Sequence, residues 1–279
     1  MIDLILAILT SAMISVTMRV STDRVGGSRY VLAANYLVCS LLGLLYAGFG
    51  AAAAAQPAEV WKTAGLGLVY GILLLTAFIV LQSNIRRYGV VLSSMFMKLG
   101  LLVPILLSVL VFGEQPTVLQ LAGFALAIGA ILLINLKKEG TEGGFGFLLI
   151  LLLLLGGGAD AMGKIYEVYG AADLSGLFLF LSFAFAFALC MATVVKQREK
   201  LSLQAVMFGV LIGIPNFFST KFLLSALTKL PAVVVYPTFS VGSMLLVTLS
   251  GVLFFREKPG RRQWIAMAAV IAALILLNI

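Results

Sequence analysis

Long apolar runs leave this chain few folds to adopt. A helix of about 20 apolar residues crosses the hydrocarbon core of a bilayer. Lipid leaves the backbone groups of an open non-helical segment without hydrogen-bond partners. The sequence therefore predicts an all-α membrane protein with ten transmembrane helices, called spans 1 to 10, at 2–22, 30–50, 61–82, 90–112, 117–136, 145–166, 174–195, 203–227, 231–254 and 261–279.

Composition excludes a water-soluble protein of this length. Of the 279 residues, 62% are hydrophobic and only 11% are charged, whereas soluble domains have about 25% charged residues. The two cysteines, Cys39 and Cys190, lie inside apolar runs. We expect them to pack as small apolar side chains without forming a disulfide.

The residue inventory also argues against an enzyme. The chain contains no His, which removes histidine metal sites and Ser-His catalytic pairs. It has neither a GxGxxG stretch after a strand nor a phosphate-binding loop with Lys and Ser or Thr. We predict a protein without catalytic activity that holds no cofactor and no metal ion.

The positive charge is concentrated on alternate loops. The odd-numbered loops and their flanks carry thirteen Lys and Arg residues, whereas the even-numbered loops carry only Lys62 and Lys229. The positive-inside rule assigns basic loops to the cytoplasm. We therefore expect a multi-pass protein of the inner (cytoplasmic) membrane with odd-numbered loops cytoplasmic and both termini outside. The net charge of +8 then reflects orientation in the membrane, and we predict no nucleic-acid partner.

An internal repeat relates the two halves of the chain. After a shift of 143 residues, 90–136 aligns with 233–279, and 16 of the 47 positions are identical. The polar identities are the informative ones, because apolar helices often match by chance. Two halves of five spans, 1–139 and 140–279, enter a membrane in opposite directions, which is the inverted-topology repeat of many secondary transporters. The polar identities pair Glu114 with Glu257, Pro116 with Pro259, Gln120 with Gln263 and Asn135 with Asn278.

These features resemble the drug/metabolite transporter superfamily, EamA type. Besides the ten spans and the 5+5 repeat, the resemblance includes the stretch 225–259 and a Phe-x-Glu-x-Pro turn before the last span of each half. It implies a permease in which helices 1–4 and 6–9 surround a central cavity while helices 5 and 10 brace the outside. The small dimeric multidrug relatives use a Glu in their first helix, whereas this chain has no carboxylate between Asp3 and Asp23. The turns are formed by Phe112, Glu114 and Pro116 and by Phe255, Glu257 and Pro259.

Charged side chains inside the spans indicate the candidate site. Each costs about 2.5–3.5 kcal/mol at the bilayer centre, so such residues usually face a cavity or one another. Lys98 lies in the middle of span 4, and Asp160 of span 6 is its expected partner. Asp160, Lys164 and Glu167 share one face of span 6 beyond the glycines at 156–158, where a helix or a ligand can approach the backbone. An Asp160–Lys164 pair that neutralises both charges is the alternative.

Span 8 adds a second group of candidates. Lys221 follows Pro215 and Asn216, and interrupted helices of this kind mark transporter sites. The alternatives are a packing kink at the proline and hydrogen bonds between helices for the uncharged groups. The predicted substrate-binding set is Lys98, Asp160, Lys164, Lys221, Asn216, Ser94 and Tyr236.

Two further charges lie near the ends of spans. Arg19 is about one turn from the cytoplasmic end of span 1, and Glu167 is at the outer end of span 6. We assign both to gating or coupling. The alternatives are snorkelling of Arg19 to the interface and a solvated Glu167.

The spans contain four basic residues against two acidic ones, a balance that favours an anionic or zwitterionic solute. We therefore predict a secondary-active or facilitative transporter of a small polar metabolite, such as an amino acid, that works by alternating access. The alternatives are a multidrug or cationic-compound exporter that uses Asp160 and, more remotely, a channel or a scaffold. Protons or a counter-substrate are open as coupling partners, and the protein is expected to work as a monomer or a homodimer.

Overall fold

A computed structural model gives the fold of the chain. It describes residues 2–26, 28–47, 50, 53, 55–100, 102–103, 117–119, 121–123, 125–126, 129, 146–227, 229 and 232–277. Within the helices, the side chains at 163, 164, 167, 168, 224, 227, 232–237, 263, 274 and 277 are not described. Span 5 and the second half of span 4 lie largely outside the described residues, as does Glu114.

The described part of the chain contains nine α-helices of 10 to 32 residues and one short 3-10 helix, Ala172–Leu174, and no strand. Helices α1 to α4 correspond to spans 1 to 4, and α5 to α9 correspond to spans 6 to 10. The helices are α1 Ile2–Val25, α2 Arg29–Leu44, α3 Pro57–Tyr88, α4 Val90–Leu99, α5 Phe147–Tyr169, α6 Ser175–Lys196, α7 Leu203–Leu227, α8 Ala232–Phe255 and α9 Arg261–Leu277.

Several of these helices are long and apolar enough to cross a membrane. Five meet both criteria, within Ile2–Val25, Pro57–Tyr88, Ala172–Lys196, Leu203–Leu223 and Thr238–Phe255. Shorter apolar helices occupy Arg29–Leu44, Val90–Leu99, Phe147–Met162 and Trp264–Ala273. The chain is therefore an all-helical, multi-pass membrane protein, as the hydropathy predicts.

The helix ends agree with the predicted spans except at α2, at α3 and at the end of α4, which is described only to Leu99 because most of the residues from there to the predicted end at 112 lie outside the described part. The third helix begins at Pro57, which suits the first helical turn because proline has no N–H to leave unpaired. Its last residue is Tyr88, and the residue that follows, Gly89, has a φ of +83°, which is favourable only for glycine. The second helix ends at Leu44, six residues before the predicted end. The prediction was too long because apolar residues continue through the turn that follows the helix.

Contacts between helix ends distinguish two ends of the bundle. At one end, Glu199 after α6 binds Arg29 at the start of α2, and Glu257 after α8 binds Val90 at the start of α4. At the other end, Asp3 at the start of α1 pairs with Lys229 after α7. We call the first end the basic face, because it carries Arg24, Arg29, Arg86, Arg87, Lys196, Arg198, Lys200, Arg256, Lys258, Arg261 and Arg262.

The helices pack in a pattern of paired contacts. Three such pairs are present among the described helices. The first is α2 with α7 and α3 with α6, the second is α1 with α7 and α3 with α5, and the third is α1 with α8 and α4 with α5. In two further contacts, α2 packs on α6 and α4 packs on α8. The largest apolar cluster of the described residues contains side chains from each of α1 to α8. Within it, the centre of the Tyr36 ring is 6.0 Å from that of Phe78 and 6.5 Å from that of Phe183.

Glycines allow the helices to approach closely at several crossings. A Cβ added to Gly213 of α7 would lie 2.8 Å from the carbonyl oxygen of Asn35 in α2. A Cβ added to Gly71 of α3 would lie 2.6 Å from the carbonyl oxygen of Ser182 in α6. Small residues at such crossings are typical of helix packing in lipid, where close backbone contact supplies much of the attraction.

The crossing of α4 and α5 positions the candidate site. A Cβ added to Gly100 would lie 2.6 Å from the backbone nitrogen of Gly157, and one added to Gly157 would overlap the carbonyl oxygen of Gly100. The sequence predicts that a helix or a ligand approaches the glycines at 156–158, and the structure has a helix there. Lys98 and Asp160 lie within one turn of this crossing.

We expect Gly157→Ala to destabilise the protein, because the added methyl group meets backbone atoms that cannot rotate away. Overpacking of this kind costs about 1–3 kcal/mol. The midpoint of thermal unfolding of the purified protein in detergent measures the loss.

Gly158→Ala is the matched control. Its added methyl group would be 3.5 Å from the Leu73 side chain, an ordinary contact. Alanine also has higher helix propensity than glycine, by about 1 kcal/mol. Equal midpoints for the two variants would contradict the close backbone approach at Gly157.

Candidate functional site

Lys98 points into the space between α1 and α8. Its Nζ donates to the Ser11 hydroxyl at 3.4 Å and lies 4.1 Å from the centre of the Phe239 ring. The hydroxyl group and the face of the ring both stabilise a cation without neutralising it. The side chain is partly buried and forms no salt bridge with a described residue. Lys98 is thus a positive charge inside the helical bundle.

Asp160 is exposed although it lies well inside α5. It is one turn after Gly156, which faces Met97 of α4, so it continues the face of α5 that packs on α4. An exposed carboxylate on this face borders open space beside α4. Ser94, one turn before Lys98, is buried, and its hydroxyl has no hydrogen-bond partner among the described residues.

Lys98 and Asp160 interact electrostatically but form no ion pair within 4.0 Å. The helices run in parallel and cross at Gly100 and Gly157. Lys98 precedes its glycine by two residues and Asp160 follows its glycine by three, an offset of about 7.5 Å along the helices at 1.5 Å per residue. Two opposite charges are therefore held close together with a gap between them.

Lys221 and Asn216 lie elsewhere, at the interface of α2 and α7. The Lys221 Nζ is 3.6 Å from the centre of the Tyr46 ring. The Asn216 amide donates to the Asn35 side chain at 3.1 Å, and both side chains are buried. Among the two alternatives for Asn216, the structure has the hydrogen bond between helices. No described contact joins Lys221 to Lys98, so a shared role in binding stays a prediction.

Three predicted site residues have side chains outside the described part of the structure. These are Lys164 and Glu167 of α5 and Tyr236 of α8. Their backbones are helical. Their assignment to binding or coupling stays a prediction.

Arg19 connects α1 to neighbouring helices at the basic face. It donates to the Ile85 carbonyl oxygen of α3 at 3.1 Å, and its Nε is 3.3 Å from the Asp23 carboxylate. The guanidinium also lies 5.9 Å from the Phe255 ring of α8. Arg19 therefore holds the ends of three helices together, a position suited to the gating role predicted for it.

Glu257 caps the N-terminus of α4. Its carboxylate accepts hydrogen bonds from the Val90 N–H at 2.8 Å and the Val91 N–H at 3.3 Å. The first N–H groups of a helix have no partner within the helix, and a carboxylate there also complements the helix dipole. The Glu of the Phe-x-Glu-x-Pro turn thus ties the segment after α8 to α4.

Glu199 makes a similar contact with α2. Its carboxylate accepts from the Arg29 N–H and from the Ser28 hydroxyl, and its backbone carbonyl accepts from the Tyr30 hydroxyl. Sequence reasoning missed Glu199 because the partners are about 170 residues apart. The available signal was Ser28 just before a predicted helix, a common capping position.

Within the described part of the chain, no group of three His, Cys, Asp or Glu side chains could hold a metal ion. Cys39 and Cys190 are free and buried.

Comparison with known proteins places the chain in a family. Residues 2–136 match the EamA-like transporter family model, and residues 177–270 match the Small Multidrug Resistance protein model. The chain belongs to the drug/metabolite transporter superfamily. Since these are families of transporters, the chain is a transporter of a small-molecule solute in a lipid membrane.

Two proteins are similar to this drug/metabolite transporter over nearly its whole length. An uncharacterized protein of Haemophilus influenzae (strain ATCC 51907 / DSM 11121 / KW20 / Rd) is 25% identical over 283 residues, 99% of this chain and 97% of that one. A protein of known crystal structure has a TM-score of 0.55 at 17% identity, covering 97% of this chain and 94% of its own. The second likeness concerns the fold alone.

For the cap on α4, we expect Glu257→Ala to lower the stability of the protein by about 1–3 kcal/mol, because two N–H groups lose a charged acceptor. Glu257→Gln keeps one acceptor oxygen, so its loss should be smaller. Thermal unfolding measures stability, and hydrogen exchange at the Val90 and Val91 amides locates the effect.

Glu59→Ala is the control for this test. Glu59 makes a partly exposed 3.7 Å pair with Lys62 on the same helix, which contributes little. If Glu257→Ala behaved like Glu59→Ala and the two amides stayed protected, the cap would have no energetic role.

Proposed function

We propose that this protein is an alternating-access transporter of a small anionic or zwitterionic solute, such as an amino acid. The observation that carries the proposal is the environment of Lys98, a positive charge inside the bundle with a hydroxyl and an aromatic ring as neighbours. A solute carboxylate or phosphate would supply the counter-charge that Lys98 lacks. Asp160, exposed and nearby, would bind the amino group of a zwitterion.

The proposed site extends from Lys98 and Asp160 to Ser94. A buried hydroxyl without a partner is unfavourable, and a polar solute would satisfy it. Lys221 belongs to the site only if the solute or a conformational change reaches the Tyr46 end of α7. Lys164, Glu167 and Tyr236 are retained from the sequence as candidates.

We further propose that residues 1–139 and 140–279 form two five-helix halves of opposite orientation. The helix directions support this division: α1 runs toward the basic face, whereas α5, its partner in the repeat, runs away from it. The paired contacts support it as well, because exchanging α1–α4 with α5–α8 converts each contact of a pair into the other.

One departure from this pairing supports alternating access. Helix α1 packs on α3 and α4, and Arg19 bonds it to α3 at the basic face. The corresponding contacts of α5 with α7 and α8 have no comparable extent among the described residues. The contacts of α1 with α3 and α4 would thus close the basic face, the weaker packing of α5 on α7 and α8 would leave the other face open, and the reverse arrangement would be the second state. The proposal includes coupling of solute transport to a flow of protons or of a counter-substrate.

A cationic-compound exporter is the second candidate. It is favoured by the exposed Asp160 carboxylate and by the match of 177–270 to the Small Multidrug Resistance protein model. In that case Asp160 would bind the cation and Lys98 would oppose it. The two candidates therefore differ in which charge is essential.

We expect Lys98→Ala to reduce uptake of an anionic or zwitterionic solute by about 10-fold or more, because a charge-assisted contact is worth about 1.5–3 kcal/mol. Uptake is measured with purified protein in liposomes, using a panel of amino acids, organic acids, phosphate esters and organic cations. Each is tested with and without a pH gradient.

Lys62→Ala removes an exposed charge near the start of α3 and serves as the control. Full uptake of every transported solute by Lys98→Ala, with folding checked by gel filtration, would overturn the assignment. Transport of organic cations that is lost in Asp160→Asn and kept in Lys98→Ala would establish the second candidate.

The orientation predicts which added cysteines react from outside the cell. A membrane-impermeant maleimide should label Lys62→Cys and Asp160→Cys in intact cells, and Arg87→Cys only after permeabilisation. The native Cys39 and Cys190 are buried, so the unsubstituted protein is a low-background control. Labelling of Arg87→Cys in intact cells would reverse the proposed orientation.

A further inference from the structure

A cavity of about 300 Å³ opens at the basic face. It lies between the end of α3, the start of α4 and the turn after α8, with Arg19 of α1 on one wall. Neither Lys98 nor Asp160 lines it. It is therefore a different place in the molecule from the candidate transport site.

The cavity carries an uncompensated positive charge. Arg19, Arg86 and Lys258 line it, and its one carboxylate, Glu257, already accepts hydrogen bonds at the start of α4. Neither Arg86 nor Lys258 has an ion pair or hydrogen bond with a described residue. The Nε of Arg19 is buried and, despite its proximity to Asp23, lacks a hydrogen-bond acceptor.

The rest of the cavity wall is apolar. Val91, Leu92 and Met95 form its side along α4. Its volume corresponds to about ten water molecules at about 30 Å³ each, so it has room for more than an inorganic ion. A ligand with an anionic group and an attached carbon skeleton fits this combination of two arginines, a lysine and an apolar wall.

We propose that this cavity binds a phosphate ester. Guanidinium groups bind phosphate oxygens through paired hydrogen bonds, and a lysine adds a mobile positive charge. The carbon skeleton next to the phosphate lies against Val91, Leu92 and Met95. Two sources supply this chemistry: the headgroup of an anionic phospholipid, since basic pockets at the ends of membrane helices bind such headgroups, and a soluble phosphate ester in the cytoplasm.

This inference does not rest on the proposed transport function. It needs only the cavity, its charges and its place at the basic face. A bound phosphate would touch Arg19, Arg86 and Lys258 and would add contacts among α1, α3 and the turn after α8. The expected consequence is a protein that is more stable to thermal unfolding.

Thermal unfolding of the full-length protein tests the proposal with two probes. In detergent, sn-glycerol 3-phosphate is added against sodium chloride of equal ionic strength. In nanodiscs, phosphatidylglycerol is compared with phosphatidylcholine. We expect at least one probe to raise the unfolding midpoint of the unsubstituted protein by about 2–4 °C. A rise with the soluble ester assigns the soluble source, and a rise with phosphatidylglycerol alone assigns the lipid.

The double variant Arg86→Gln/Lys258→Gln should lose this rise, because both free cations of the cavity are removed. The matched control is Arg87→Gln/Arg261→Gln, which removes equal charge from the end of α3 and the start of α9 without touching the cavity wall. Three results would overturn the proposal: no rise with either probe, a full rise in the cavity variant, or an equal loss in the control. Uptake assays are not used, so failure here is separable from failure of the transport proposal.

Discussion

An ionised side chain costs about 2.5–3.5 kcal/mol at the centre of a bilayer, and the positions of the charged residues follow from this cost. Most charges lie at helix ends. Where a charge lies deeper it has a specific neighbour: Lys98 has the Ser11 hydroxyl and the Phe239 ring. Asp160 instead is exposed to open space beside α4. In this chain, of which only 11% of residues are charged, the charged side chains within the helices therefore lie beside a polar or aromatic neighbour or beside a gap between helices.

Hydrogen bonds between distant segments hold the basic face together. The carboxylates of Glu199 and Glu257, both late in the chain, cap α2 and α4, which are early in the chain. Arg19 adds a bond from α1 to the end of α3. The two carboxylates bind N–H groups that a helix start leaves unpaired, whereas Arg19 adds a second donor to the Ile85 carbonyl, which already accepts from the Gly89 N–H. In the proposed alternating-access cycle, opening of this face would break at least some of these bonds, so their strength would set the balance between the two proposed states.

Much of the fold could be predicted from the sequence, because hydropathy alone locates a helix in lipid. Six of the nine described helices begin and end within a few residues of the predicted spans, and the glycines near 157 do mark a close helix crossing. The interior position of Lys98 also agrees with its place in mid-span. The extent of α3 was not predictable from hydropathy, since its last residues, 83–88, are mostly polar or charged. The end of α2 was not predictable because apolar sequence continues across the turn that follows. The sequence also did not predict that Glu257 binds Val90, because the two residues are 167 positions apart.

The sequence by itself determined that the chain is helical, that it crosses a membrane and which end carries the positive charge. These properties follow from local composition and from the absence of water in hydrocarbon. Only the tertiary structure decided that Asn216 binds Asn35, that Lys221 lies on Tyr46 and that Lys98 and Asp160 are offset along two parallel helices. The reason is geometric: which faces of two helices meet depends on small residues and crossing positions far apart in the chain, and no local pattern records them.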